Sequence, residues 1–232
     1  MKNKILLLAF AVLMLPVYAA AMRSDTSIID IPTAETAPAR EFDIKTRMFS
    51  QGGLLMYFNY GITNSFNIGA SQTIEHLIGT NEESIKLLVP ALQAKFRLYD
   101  GDDTWPALAA GFDNQGFLYS HPDKEYTQKA RGFYVLASKE AFTPGLVITP
   151  GFNITVEGFE FDKLAAFAGA VYNIKDVAGL MFEWDNIRSL NTSRLNCGIR
   201  IYLYENFSMD IALRDFNHKT ERVAQLKYFF SI

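Results

Sequence analysis

Glu183 and Asp185 stand two residues apart in Met181-Phe182-Glu183-Trp184-Asp185. On an extended strand that spacing puts both carboxylates on one face. Two acids so placed could divide general-acid and general-base work. Ser120 beside His121 supplies the residue types for a nucleophile and its base, but sequence neighbours seldom align for proton transfer, and His121 reads as a plain loop residue. His76, His121 and His218 lie far apart, and the sequence holds no zinc-type Cys/His cluster, no Gly-rich phosphate loop after a strand and no Gly-x-Ser-x-Gly elbow. No cofactor, no metal site and no catalytic residue is expected.

The elements that carry these acids are strands. After residue 39 the chain breaks into about twelve segments that alternate polar with apolar, each about ten residues long. They fall at 40–49, 54–62, 66–73, 90–99, 105–112, 131–139, 145–154, 164–172, 177–185, 194–204, 207–215 and 222–232. The fourth is the cleanest: Leu92, Ala94, Phe96 and Leu98 oppose Gln93, Lys95 and Arg97. The ninth sets Ala178, Leu180, Phe182 and Trp184 outward, with Met181, Glu183 and Asp185 inward; the eighth is small and Ala-rich. This pattern predicts an all-β fold, a transmembrane up-and-down antiparallel β-barrel of about twelve strands, with ten as the alternative count.

In such a barrel the apolar face meets lipid and the polar face lines the lumen. The lumen then holds Lys45, Arg47, Lys95, Arg97, Arg200, Arg214 and Lys227, together with Asp43, Glu183, Asp185 and Asp210. Charges of both signs in a narrow bore must pair, because an unpaired one loses solvation. Three readings follow: a filled scaffold, an open pore with mild anion preference, or a catalytic pair at Glu183 and Asp185.

The ends and the links agree with an exported barrel. Lys2 and Lys4, the apolar run 5–17 and Ala19-Ala20-Ala21 predict a signal peptide over 1–21, cleaved after Ala21. Residues 22–39 show no periodicity and read as a periplasmic leader, leaving 40–232 as the barrel. The last strand places Leu226, Tyr228, Phe230 and Ile232 on one face. With both termini periplasmic, the tight links at 63–65, 173–176 and 205–206 fall on one side and the long loops at 77–88 and 113–130 on the other. In the second long loop Phe117, Tyr119 and Tyr126, with Asn114, Gln115, Asp123 and Lys124, either stack on sugar rings or pack on one another over the barrel mouth.

Composition fits this picture. Apolar residues make up 49%, with nineteen Phe and eleven Tyr, yet the mean hydropathy is only +0.04. Apolar residues are thus interleaved rather than blocked, and the aromatics suit girdles at two membrane interfaces. A net charge of −3 argues against nucleic acid as a partner. The single Cys197 forms no internal disulfide. The expected partners are the outer-membrane lipid bilayer and the barrel-assembly machinery, with polysaccharide as a further candidate.

Pro106-Ala107-Leu108-Ala109-Ala110-Gly111-Phe112, then Gln115-Gly116, is followed by Gly132-Phe133-Tyr134-Val135-Leu136-Ala137-Ser138-Lys139. Upstream, Glu75, Leu77, Ile78 and Gly79 precede the strand from Pro90; later come Glu183-Trp184-Asp185 and Asn196-Cys197-Gly198-Ile199-Arg200. This wording, over roughly 65–232, resembles YjbH-like outer-membrane β-barrel proteins, although the chain is much shorter than a full member. The resemblance implies a role in exopolysaccharide production or secretion. The expectation is a non-enzymatic outer-membrane channel or accessory factor for envelope polysaccharide or small solutes, in a Gram-negative bacterium. The alternatives are an outer-membrane enzyme acting on lipid or glycan, and a structural barrel whose loops bind a partner.

Overall fold

The computed structural model describes residues 25–79, 84–157, 160–189 and 191–231. The expected signal peptide lies outside these residues. The strands are β1 (Glu41–Phe49), β2 (Gly53–Thr63), β3 (Phe66–Glu75), β4 (Lys86–Leu87), β5 (Ala91–Tyr99), β6 (Ala107–Asp113), β7 (Phe117–Ser120), β8 (Glu125–Gln128), β9 (Gly132–Glu140), β10 (Leu146–Glu157), β11 (Glu160–Ile174), β12 (Ala178–Ile187), β13 (Arg194–Tyr204), β14 (Phe207–Arg214) and β15 (Glu221–Ser231).

Twelve of them form one closed antiparallel barrel, so the ten-strand count falls away. Each pairs with its neighbours in chain order, and β1 meets β15 from Glu41↔Ser231 to Met48↔Ala224. Closure leaves no free strand edge, which a lipid-embedded sheet requires. Of the remaining three, β4 caps the end of β3, and β7 and β8 form a small hairpin within the loop 114–131. Pro150 lies inside β10, where it lacks an N–H for the ladder; the register to β9 is interrupted between Ile148↔Lys139 and Gly151↔Leu136.

The barrel is apolar outside and polar inside. Leu92 is 61% exposed, Phe133 54% and Ile211 56%, whereas Asp43, Glu183 and Arg200 are fully buried. Near the end where β1 starts, Phe42 stacks on Phe230 at 5.1 Å and touches Tyr60 at 4.8 Å, and Tyr228 links Phe230 to Phe207. Phe112 and Phe133 pair at 4.9 Å toward the other end. These are the aromatic bands that the composition predicted.

The stretch expected to hang free as a periplasmic leader is placed differently. Residues 25–39 run inside the barrel. Ile28, Ile29, Ile31, Ala34 and Ala37 are buried, and the three isoleucines share a core with Leu136, Phe167, Val171 and Met181 of β9, β11 and β12. The small residues of β11 make the room: a Cβ on Gly169 would sit 2.4 Å from Cδ1 of Ile28. The segment has no strand periodicity because its backbone bonds to lumenal side chains rather than to a ladder.

Candidate functional site

Alternation along the strands sends the charged positions into the bore, and the inserted segment decides what they do there. Of those named from the sequence, seven are basic and four acidic. The segment brings three more acids, Asp25, Asp30 and Glu35, spaced five residues apart. These three supply counter-charge to the lumenal cations, beside Glu221 on Arg214, while Arg131 and Arg194 neutralise Asp185.

Asp25 pairs with Arg200 and, at 3.5 Å, with Lys227. Asp30 lies between Arg47 at 2.7 Å and Arg214 at 2.6 Å. Glu35 pairs with Arg97. The remaining donors go to the segment's backbone carbonyls and hydroxyls. Lys95 Nζ donates to the carbonyls of Thr26, Thr33 and Glu35. Lys45 Nζ donates to Thr26 Oγ1 at 2.8 Å and Ser27 Oγ at 2.9 Å. Arg200 also donates to the carbonyl of Ile28, and Lys227 to that of Ser27. The structure thus places all seven cations against the segment.

The acids divide differently. Glu183 Oε1 accepts the backbone N–H groups of Ile29, Asp30 and Ile31 at 2.7–2.8 Å, and its Oε2 accepts from Asn196. Asp185 is held by Arg131 and Arg194. Asp210 pairs with Arg200 and Lys227. Asp43 accepts from Thr26 Oγ1 at 2.5 Å. The Glu183 and Asp185 carboxylates are therefore saturated by separate donors and share no reacting centre.

The other candidates also have structural partners. His121 pairs with Glu75 at 2.6 Å and Ser120 Oγ donates to Asp123, so the two neighbours point apart. Of the loop aromatics, Phe117 packs on barrel side chains, and Tyr119 and Tyr126 on each other. Phe117 lies under Arg214 at 4.1 Å and Arg47 at 5.4 Å, and Tyr119 meets Tyr126 at 5.2 Å. Gln115, expected as a loop group for sugar hydroxyls, is instead buried, donating to Thr73 and accepting from Ser71.

Beside the segment remains a cavity of about 280 Å³, lined by seven basic and four acidic side chains and by Asn59, Asn67, Gln93, Tyr57 and Thr155. Within it Asp43 Oδ1, Asn67 Oδ1 and Gln93 Oε1 accept no hydrogen bond from the described residues. They lie on β1, β3 and β5, with β2 between the first two, and Lys45, Arg47 and Lys95 stand on the same strands, so acceptors and cations share this wall. Such a lining suits a polar solute carrying hydroxyls and negative charge.

The fold has known counterparts. The KdgM porin superposes with a TM-score of 0.52 at 12% identity, over 82% of this chain and 99% of that one. The chain has a porin-like fold. The same porin in complex with disordered oligogalacturonate gives 0.52 at 10% identity, over 82% and 99%. The NanC porin gives 0.44 at 11% identity, over 82% and 100%. No family model and no curated protein matches the sequence. The YjbH-like likeness thus rests on the quoted sequence alone, and the common ground with known structures is the closed antiparallel barrel.

Proposed function

We propose that the protein is a non-enzymatic channel of the bacterial outer membrane, passing small polar solutes of the envelope, saccharides among them. It is exported behind a cleaved signal peptide at 1–21. The observation that carries the proposal is a charged, hydroxyl-compatible cavity inside a closed barrel with an apolar exterior. A barrel built only as a scaffold would gain more from an apolar filling than from buried ion pairs. The porin-like fold supports the same reading, and the oligogalacturonate bound by one neighbour supports a saccharide solute. The role in exopolysaccharide export that the YjbH-like wording implies is a narrower form of this function. The saturated Glu183 and Asp185 weigh against the enzyme alternative.

Two measurements test this in order. Purified outer membranes are run unboiled and boiled on an SDS gel; a closed barrel shifts only on heating, and a protein found in the soluble periplasm without a shift would end the proposal. The full-length protein is then inserted in planar bilayers. Discrete conductance steps support a channel, and a silent bilayer under all salts and voltages favours a sealed scaffold.

A further inference from the structure

The lumenal cations are arranged as a site for a linear chain, and the chain that occupies it is the protein's own. Carboxylates recur every five residues along the segment, at Asp25, Asp30 and Glu35. Each meets its own basic station: Arg200 with Lys227, Arg47 with Arg214, and Arg97. Five extended residues reach at most about 17 Å, which bounds the distance between stations. Between stations, Lys95 reads only backbone carbonyls, which any chain rich in acceptors would supply.

We propose that residues 25–39 are a resident pseudo-ligand in a lumenal site for a linear polycarboxylate, and that such a chain displaces them and opens the bore. This rests on the channel reading and adds its control. Arginine forks suit carboxylates at the stations. The apolar wall of Phe167, Val171 and Met181 holds the isoleucines, so release requires an anion strong enough to take several stations at once. A single small anion offers one station's worth of contact and leaves the segment in place. The orphan acceptors Asp43 Oδ1, Asn67 Oδ1 and Gln93 Oε1 add a preference for a polyanion that also carries hydroxyl donors.

The test uses full-length protein with Cys197→Ser and a reporter thiol at Ala34→Cys, repeated at Ala37→Cys in case one variant fails to fold. Ala34 and Ala37 are both fully buried, so a charged maleimide reacts slowly while the segment is in place. Folding is verified by the heat-dependent gel shift. The probes are oligogalacturonate, an uncharged maltooligosaccharide of equal length, and sodium chloride at matched ionic strength. The expected result is labelling at least fivefold faster with oligogalacturonate alone. An unchanged rate overturns the proposal, as does the same acceleration by maltooligosaccharide or by salt. Conductance of the same preparations separates the two levels. Faster labelling in a silent bilayer sinks the channel reading and keeps the displaceable segment; conductance with unchanged labelling does the reverse.

Discussion

The backbone N–H of Asp30 donates to Glu183 at 2.8 Å, while the Asp30 carboxylate turns to Arg47 and Arg214. Two buried acids thus meet through an amide and never face each other directly. Glu183 serves as an anion cradled by three consecutive N–H groups, and Asp30 as the counter-ion of two guanidiniums. Each is satisfied by a different set of donors, which offsets the solvation each loses on burial.

Glu183→Ala strips three buried N–H groups of their acceptor. Each unsatisfied donor costs roughly 1–3 kcal/mol. The expected outcome is release of residues 25–39 rather than collapse of the barrel, because the sheet ladder is untouched. Limited proteolysis of the folded variant should cut within 25–39, and an unchanged digestion pattern would contradict this account.

Asp30→Asn leaves Arg47 and Arg214 without their shared counter-ion. Breaking a buried pair by removing one partner costs about 3–5 kcal/mol. The urea midpoint in lipid vesicles should fall, and a double-mutant cycle of Asp30→Asn with Arg47→Met should recover part of the loss. Additive effects would mean that the pair does not couple.

Gly169→Leu tests the close approach from the opposite wall. Its side chain would occupy the space of the Ile28 tip. Overpacking a filled interior typically costs 1–3 kcal/mol, and here the strain is relieved by expelling the segment. Larger bilayer conductance than in the parent is expected; a smaller one would mean that the leucine blocks the bore itself.

Phe182→Arg probes the outer face. Phe182 is 46% exposed on the lipid side of β12. An arginine costs about 2–4 kcal/mol at the bilayer midplane and little near an interface. Folding yield into vesicles should drop, while Phe182→Leu folds normally. Equal yields for both would place this face in water.

His218 provides the pH handle. A hydrogen bond to the Asp215 carboxylate, and a second to the Asn191 carbonyl, push its pKa above the ordinary 6.5. With the folded value raised, its contribution is complete below about pH 6.5 and fades as pH climbs through the higher folded value. The loops around 191 and 215–218 should therefore loosen on the alkaline side. NMR titration of the His218 ring should show the raised value, and Asp215→Asn should bring it back toward 6.5.

The strands were legible because lipid outside and charge inside impose a two-residue period that survives in the letters. Lys45, Arg47, Glu183 and Asp185 take their inward direction from that period. The hairpin of β10 and β11 runs longer than expected, reaching Glu157 and Glu160, and the alternation Ile154-Thr155-Val156-Glu157 and Glu160-Phe161-Asp162 carries both strands on to the tip. The inserted segment was illegible as structure, since it makes no ladder and follows no period. Its acids Asp25, Asp30 and Glu35 stand at five-residue intervals just before β1, in a stretch whose lack of period reads as a leader, and only the fold shows that lumenal cations receive them.

Closure of β1 on β15 has a consequence for how the molecule is made. Glu41 pairs with Ser231, so the seam joins residues nearly the whole chain apart. The ring cannot shut until the final strand has arrived, and contacts so distant in sequence form slowly. Residues 25–39 are attached directly to β1, so they stay close to the growing sheet and can be enclosed as the seam zips. A chain arrested before β15 would carry an open edge on β1 with its isoleucines uncovered, and would present itself to neighbours as a surface for aggregation.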